Sequence, residues 1–113
     1  MAHPWKTKGD RAEREIAALL AEHLGIDVRR KLGAGRHDDT GDLHGIPDTT
    51  CEVKNYRDVT VAIRDGLDDL VREQANSGDT FGVCFVRRPG GRWFAAMTVE
   101  QWCTYHREAE RTT

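Results

Sequence analysis

The sequence predicts a fold of the α/β class, or of the related α+β class, in which helices flank a mixed β-sheet. Predicted helices and strands follow one another along the 113 residues in the order α-β-β-β-α-β-β-α, with no internal repeat and no low-complexity segment. Residues 80–86 form a nearly continuous apolar run of strand length, which is typical of a central strand covered on both faces. A chain of this length is expected to form one domain with a single modest core.

The first predicted helix covers residues 10–24, where apolar side chains recur every four positions. An aspartate and a glycine stand at its two ends, as the preferences of helix caps favour. The residues concerned are Asp10 as N-cap, Ile16, Leu20 and Leu24 on the apolar stripe, and Gly25 as terminator. Residues 26–28 are a candidate strand, and the basic, glycine-containing stretch 29–37 is predicted to be a loop.

The remaining elements are two short strands joined by a turn, a second helix, two further strands and a last helix. In order they are strands 42–46 and 50–55 with their turn at 45–48, helix 60–76 closed by residues 77–79, strand 80–86, turn 88–92, strand 93–97 and helix 98–107. Thr98 and Gln101 have the spacing of a capping box that opens the last helix. The tail 108–113 is expected to fray.

The composition fits a globular protein and argues against a disordered or membrane-spanning chain. Hydrophobic residues make up 38% and charged residues 32% of the chain, and no apolar run approaches the ~20 residues that span a bilayer. No secretory signal is recognisable at the N-terminus, so a cytoplasmic location with no membrane partner is expected. Cys51, Cys84 and Cys103 match neither a disulfide framework nor zinc-binding spacing, and they are expected to be reduced core thiols.

The net charge of −2 conceals an uneven distribution. Residues 1–36 carry 8 Lys and Arg against 5 Asp and Glu, whereas residues 37–113 carry 9 against 14. A local basic patch can bind a polyanion while acidic groups elsewhere hold a metal ion. The overall charge therefore excludes neither kind of ligand.

The triplet Glu52-Val53-Lys54 carries the clearest chemical signal in the chain. On a strand, Glu52 and Lys54 share one face while Cys51 and Val53 point to the other. An exposed ion pair of little energetic value is the simpler interpretation of this triplet alone. A second carboxylate beside it would instead suit a hard divalent cation, which prefers oxygen ligands.

Asp42 and Asp48 are the candidates for that second carboxylate. Asp48 on the same extended strand as Glu52 would lie about 13 Å away, which is too far to share one ion. Asp42 can lie on the neighbouring strand opposite Glu52, because a turn separates the two segments. The alternative role of Asp42 is that of a turn residue in the polar run 37–42.

Two further polar residues fall on predicted apolar stripes. Glu13 lies within the stripe of the first helix, where an inward carboxylate needs a partner, although its spacing from Asp10 also allows a capping box. Gln74 continues the stripe of the second helix, and both a functional contact and a hydrogen bond to the local backbone are open for it. The other members of that stripe are Ile63, Leu67 and Leu70.

Assembled, these residues resemble the motifs of the PD-(D/E)XK nuclease superfamily, especially its small Holliday junction resolvases of archaeal and phage type. The likeness runs from about residue 8 to residue 104 and rests on Lys8-Gly9, Glu13-Arg14-Glu15, Gly41-Asp42, Glu52-Val53-Lys54-Asn55 and Gln74-Ala75. It implies a single α/β domain with a restriction-endonuclease-like α-β-β-β-α-β core, to which a C-terminal strand and helix are added. One departure is that Gly41, not proline, precedes Asp42, while the literal Pro-Asp pair is Pro47-Asp48.

The resemblance implies an endodeoxyribonuclease that depends on Mg²⁺ or Mn²⁺. Asp42, Glu52 and the Val53 backbone carbonyl would hold the metal, and Glu13 would act through a water or a second ion. Lys54 would orient or help deprotonate the attacking water. Gln74 is similar to a glutamine that follows the Glu-x-Lys strand in resolvase-like relatives, and it is the fifth candidate catalytic residue.

Contact with DNA is expected mainly around the predicted loop 29–37, whose glycines would let backbone amides approach phosphates. A solvated run of charge is the alternative interpretation. Nothing in the sequence resembles a base-reading helix, so recognition of DNA shape rather than sequence is expected. The candidate DNA-binding residues are Lys8, Arg29, Arg30, Lys31, Arg36, His37, Asn55 and Arg57.

The leading functional hypothesis is a resolvase that cuts branched or four-way junction DNA in recombination and repair. It would act as a homodimer, because paired incision needs two active sites; the apolar region of Phe94, Trp102 and Tyr105 is either a candidate interface or core. A nuclease for flaps, nicks or duplex DNA is the second hypothesis. The third is a non-catalytic DNA-binding accessory protein, in which the acids serve only as caps and surface pairs.

Overall fold

Five strands and three helices, in the predicted order, make up the parts of the protein described by the computed structural model, which are residues 4–32 and 39–111. The elements are α1 (Pro4–Leu24), β1 (Arg29–Arg30), β2 (Leu43–His44), β3 (Thr49–Lys54), α2 (Val59–Ser77), β4 (Phe81–Arg88), β5 (Arg92–Ala96) and α3 (Val99–Arg111). The strands form one sheet in the order β1-β2-β3-β4-β5. Only β3 and β4 are parallel among these neighbours, and α2 connects them. The predicted α/β class and mixed sheet are therefore confirmed.

Helix α1 begins six residues earlier than predicted, at Pro4 rather than at Asp10. Proline is well tolerated in the first turn of a helix, because its missing N–H would lack an intrahelical partner there anyway. Asp10 therefore lies inside the helix, and the N-cap prediction is wrong. The predicted end is correct, since Gly25 has φ 68° and its N–H donates to the Ala21 carbonyl at 2.9 Å.

The first strand also differs from the prediction. It covers Arg29 and Arg30, for which the sequence predicts a loop, and not residues 26–28. Arg29 pairs with His44 and Arg30 with Leu43, so β1 is a short edge strand held by main-chain hydrogen bonds. A strand of two arginines has no alternation of apolar and polar side chains, so the sequence pattern does not reveal it. Val28, just before it, packs in the core instead of pairing.

The two faces of the sheet are covered by different helices, as expected for a buried central strand. Cys51 and Val53 point to the α1 side, where they pack with Ile16 of that helix. Cys84 and Val86 of β4 point to the α2 side. The alternation along β3 thereby places Glu52 and Lys54 on the α2 side, which is the face that holds the charged residues described below.

Helix α2 lies close to the sheet because small residues face it. A Cβ built on Gly66 would meet the Cys84 Sγ at 2.2 Å, so no larger residue fits there without a shift. The helix is capped as its sequence favours: the Asp58 side chain accepts from the Val61 N–H at 3.1 Å, and Gly78 ends it in the left-handed conformation. These features determine the distance of α2 from the sheet and the residues at which the helix begins and ends.

Helix α3 extends through Arg111, so residues 108–111 do not fray as expected, while residues 112–113 lie outside the described part. Thr98 caps it, since its Oγ1 accepts from the Gln101 N–H at 3.1 Å. Of the predicted capping box, only the hydrogen bond to the Thr98 side chain is formed. The Gln101 side chain does not return to the N-cap backbone, because it accepts from Gln74 at 3.3 Å. No helix in the described ranges is both long and apolar enough to cross a membrane.

The three cysteines are free, as expected, but only two of them are core residues. Cys51 and Cys84 are buried, and burial raises the pKa of each thiol to about 12. Both are therefore neutral, unreactive core groups. Cys103 on α3 is half-buried rather than part of the core.

Candidate functional site

Strand pairing brings Asp42 beside Glu52, as the sequence analysis predicted. Leu43 lies opposite Cys51 in the antiparallel register of β2 and β3, and one further step places Asp42 opposite Glu52. The Asp42 N–H donates to the Cys51 carbonyl at 2.7 Å, and Asp42 Oδ2 accepts from the Val53 N–H at 2.8 Å. The side chain of Asp42 is therefore held by the backbone of the strand that carries Glu52.

The residue before Asp42 has to be glycine. Gly41 has φ 105°, and a Cβ at this position would lie 2.9 Å from the Cys51 carbonyl oxygen. A proline, with φ near −65°, would not fit this geometry. The departure from the Pro-Asp pattern at this position thus has a local steric reason.

Asp48 does not belong to the site, which agrees with the distance argument. It lies in the turn before β3 at φ 53°, and its Oδ1 accepts from the Thr80 N–H at 2.8 Å. This hydrogen bond lowers the pKa of Asp48. The residue thus ties the start of β3 to the start of β4.

Glu52 is buried in a cluster of carboxyl groups. It is 4% exposed, and its side chain lies within hydrogen-bonding reach of both Asp42 and Glu73. Burial, assisted by the neighbouring carboxyl groups, raises the pKa of Asp42 and of Glu52 to about 8 and that of Glu73 to about 7. A proton or a cation is needed to stabilise these facing acceptors.

Lys54 supplies positive charge at the edge of this cluster. Its Nζ lies 3.5 Å from Glu52 Oε1 and donates to Asp69 Oδ2 at 2.8 Å. Burial alone would lower the pKa of Lys54, but the Asp69 hydrogen bond and the nearby Glu52 charge raise it overall. Lys54 is therefore a firmly protonated cation, which favours a role in orienting water and countering charge over one in removing a proton.

Glu13 approaches the cluster from α1, and Arg30 holds it there. Its Oε1 accepts from Arg30 Nε at 3.2 Å, and the same guanidinium donates through Nη2 to Asp10 at 2.8 Å. Burial and the Asp42 charge raise the pKa of Glu13 to about 7, against the opposing effect of Arg30. Glu13 pairs across elements, so the capping-box alternative is wrong.

The Gln74 amide takes the simpler of its two predicted roles. Its Nε2 donates to the backbone carbonyls of Asp79 and Thr80, both at 3.1 Å, and to Gln101. Its described hydrogen bonds thus join the end of α2 to the start of β4 and to α3. They do not run to Asp42, Glu52 or Lys54.

The sequence analysis missed two acidic residues of the site, Asp69 and Glu73. They lie on α2, whose buried positions share only Leu70 with the predicted stripe and otherwise lie one residue before it. The buried set is Ala62, Gly66, Leu70 and Glu73. Small residues at helical spacing, followed by a leucine and a glutamate, are the signal that could have identified this face.

The candidate DNA-binding residues that the structure describes do not form one free basic surface. Arg30 is engaged with α1, and Lys31 Nζ donates to the carbonyl and the hydroxyl of Thr40 at 3.0 and 2.9 Å. Arg29 is exposed and pairs with Asp27 at 3.0 Å. Lys8 and Arg57 are exposed and Asn55 is half-buried, whereas Arg36 and His37 lie outside the described residues.

A shallow groove lies between α1 and β1, next to the Glu13–Arg30 pair. Its volume is about 480 Å³, with an apolar floor and three arginines. The lining residues are Arg14, Ala17, Ala18, Val28, Arg29, Arg30 and Leu32. The sequence analysis did not predict Arg14 as a DNA-binding residue. Its position in the groove adds it to the basic residues near the site.

The donor types of the carboxyl cluster fit a hard divalent cation. Glu52 Oε2 and Glu73 Oε1 are buried, and neither finds a hydrogen-bond donor within the described ranges. Carboxylate oxygens are the ligands that Mg²⁺ and Mn²⁺ prefer. In the arrangement seen here, however, no three His, Cys, Asp or Glu side chains of residues 4–32 and 39–111 are already placed to hold one ion together.

Comparison of the chain with known protein families, curated proteins and solved structures found no match.

Proposed function

We propose that this protein is a metal-dependent endonuclease of the PD-(D/E)XK type that hydrolyses DNA phosphodiester bonds. The observation that carries the proposal is the joint placement of Asp42, Glu52 and Lys54. The two acids face each other across neighbouring strands and the lysine is 3.5 Å from Glu52, on the side of the sheet that α2 covers. The parallel β3–β4 pair with its α2 connection supports the nuclease-like core that the sequence resemblance implies.

A divalent cation fits Asp42 and Glu52, with the Val53 carbonyl and Glu13 as further candidates. The chemistry that a bound Mg²⁺ or Mn²⁺ supplies is polarisation of a phosphoryl oxygen and activation of water. The chain itself has to hold the carboxylates that would bind the cation in fixed positions. Asp42 is fixed by its hydrogen bond from Val53, and Glu52 by its place in the middle of β3.

Lys54 is the group that would counter charge on the phosphate. Its Nζ keeps its proton and lies at the rim of the carboxyl cluster, where it can donate to a phosphoryl oxygen or to the attacking water. Asp69 restricts its position by a 2.8 Å hydrogen bond. Because Lys54 keeps its proton, we do not assign it the removal of the water proton.

The phosphate backbone of the substrate is assigned to the basic residues beside α1 and β1. Arg14 and Arg29 line the groove next to the Glu13–Arg30 pair and are exposed. Such contacts are non-specific and weaken with salt. This matches recognition of DNA shape, for which a four-way junction is the most specific substrate class we propose.

Paired incision of a junction requires two copies of the site, and we propose a homodimer. Phe94, Val99 and Trp102 offer exposed apolar surface, with Trp102 55% exposed, whereas Tyr105 stacks on Phe81 at 4.7 Å and belongs to the fold. The interface is therefore assigned to β5 and α3 without Tyr105. Sedimentation of the protein at assay concentration tests the dimer directly.

The proposal is tested by incubating labelled four-way junction and matching linear duplex with the protein, in Mg²⁺, Mn²⁺ or EDTA. Glu52→Gln removes one acid of the site, and Glu22→Gln, an exposed acid on α1, is the matched control. We expect paired nicks in the junction that disappear with EDTA and in Glu52→Gln but persist in Glu22→Gln. Equal cleavage of both substrates would retain the nuclease and remove the junction selectivity.

Binding of DNA without cleavage in either metal would contradict the catalytic proposal. That result would favour the accessory protein, in which the buried acids have only a structural role. Activity that survives in Glu52→Gln would instead show that this cluster is not the catalytic site.

A further inference from the structure

Glu73 is the most deeply buried acidic residue among those described. It is 2% exposed, yet it lies on a helix that presents mostly small and apolar side chains to the sheet. A buried carboxylate is strongly unfavourable unless cations or donors surround it. Its partners are the Glu52 carboxyl and, at 3.9 Å, Arg72 Nη2, so its retention beside another acid needs a physical reason.

In both Glu73 and Glu52, only one of the two carboxyl oxygens lies near a basic side chain. Glu73 Oε2 lies 3.9 Å from Arg72 Nη2, and Glu52 Oε1 lies 3.5 Å from Lys54 Nζ. The other oxygen of each carboxyl, Glu73 Oε1 and Glu52 Oε2, is buried and without a partner in the described part of the chain. Each side chain thus leaves one acceptor oxygen free inside the same cluster.

We infer that Glu73 is a further ligand for the divalent cation, acting together with Asp42 and Glu52. The inference deepens the proposed function, on whose metal dependence it rests. It adds a carboxylate from α2 to a site for which the sequence predicts Asp42, Glu52 and the Val53 carbonyl, with Glu13 of α1 acting through a water or a second ion. The occupant is a hard divalent cation such as Mn²⁺ or Mg²⁺, since all the available donors are carboxylate oxygens.

The charge balance around the cluster supports this occupant. The two nearest basic side chains are already engaged, Lys54 with Asp69 at 2.8 Å and Arg72 with Asp69 at 3.8 Å. Glu73 and the acids that face it, which include Asp39 and Asp42, therefore need bound protons or a cation to neutralise them. The described acidic side chains are not arranged about one point, so binding requires them to change conformation.

The test is Mn²⁺ binding in the absence of DNA. Binding is measured from the electron paramagnetic resonance signal of free Mn²⁺ and by calorimetry. Glu73→Gln keeps the size of the side chain and removes its charge, and Asp68→Asn, an exposed acid on the same helix, is the matched control. We expect Mn²⁺ affinity to fall at least tenfold in Glu73→Gln, because even the loss of an outer-shell partner costs about 10- to 100-fold. Asp68→Asn should bind Mn²⁺ as the wild type does.

Folding is checked by the melting temperature without metal. Glu73→Gln should melt at the same or a higher temperature than the wild type, because a charge is removed from the cluster, and it should lose the Mn²⁺-induced rise. If this variant does not fold, Glu73→Met, which has a similar volume and no carboxylate, carries the same measurement.

Two results would overturn the inference, and they differ in what they leave. Unchanged Mn²⁺ affinity in a folded Glu73 variant would remove Glu73 from the site and leave the proposed nuclease intact. Absence of Mn²⁺ binding by the wild type at millimolar concentration would remove both the ligand assignment and the metal dependence on which it rests.

Discussion

Lys54 illustrates how one side chain is positioned by acids from two different elements. Glu52, two residues away on the same strand, lies 3.5 Å from its Nζ, while Asp69 on α2 accepts a 2.8 Å hydrogen bond from it. The shorter contact comes from the residue that strand periodicity does not reveal. Asp69 is therefore a positioning residue for Lys54, and removing it should leave the lysine charged but less restricted.

Asp69→Asn should lower the rate of DNA cleavage by about 10- to 100-fold, the size of effect seen when a supporting partner of a functional group is lost. Because Asp69 acts through Lys54, kcat should fall while KM changes little. The measurement is steady-state cleavage of the junction, with Asp68→Asn as the control on the same helix. An equal loss in both variants, or no loss in either, would contradict the role given to Asp69.

At the scale of the element, α2 determines whether the site is complete. Its close approach to the sheet depends on Ala62 and Gly66, which let Asp69 and Glu73 reach the charged side of β3. Larger residues at these positions would move the helix away from the sheet and separate its acids from Glu52. The packing of α2 and the placement of its acids thus depend on the same small residues.

Gly66→Ala should lower the free energy of unfolding by about 1–3 kcal/mol, because its Cβ would lie 2.2 Å from the Cys84 Sγ and the core has to shift. Cleavage should fall as well, since the shift moves Asp69 and Glu73. Gly9→Ala is the control: nothing lies within 4 Å of its added Cβ, so the gain in helix propensity should stabilise α1 by about 0.5–1 kcal/mol. Urea titrations of both variants measure these changes, and similar stability in the two would be inconsistent with tight packing at Gly66.

At the scale of the whole molecule, the sheet gathers acids from several elements into one buried cluster. Glu13 comes from α1, Asp42 from the position just before β2, Glu52 from β3 and Glu73 from α2. Burial is the largest cause of the raised pKa of each group. The folded, metal-free protein consequently binds more protons than the unfolded chain does at neutral pH.

The stability of the metal-free protein should therefore fall as the pH rises from about 4.5 to about 8. Acids with raised pKa values stabilise the folded state when they are protonated, and this contribution is lost as the pH passes their folded-state values of about 7 to 8. Urea unfolding in EDTA at pH 5, 6, 7 and 8 measures the trend. Glu52→Gln should reduce the slope and Mg²⁺ should oppose it at pH 8. Stability that rises through this range in EDTA would contradict the buried cluster.

The sequence by itself determined the order of the elements, the class of the fold and the pairing of Asp42 with Glu52. These depend on local spacing, because strand alternation and the length of a turn fix which side chains share a face. Periodicity alone did not determine the start of α1 or the strand at Arg29–Arg30. The first depends on tolerance of an early proline, and the second on main-chain pairing with β2.

Only the tertiary structure decided which side of α2 faces the sheet. Ile63 and Leu67 favour one orientation, whereas Ala62 and Gly66 favour another about 100° away. The close approach to Cys84 places the small residues nearest the sheet, while Ile63 and Leu67 pack beside them, and this arrangement brings Glu73 into the cluster and directs Gln74 to the backbone. Such a selection depends on the distance between two elements far apart in the chain, and that distance is set only when the core packs.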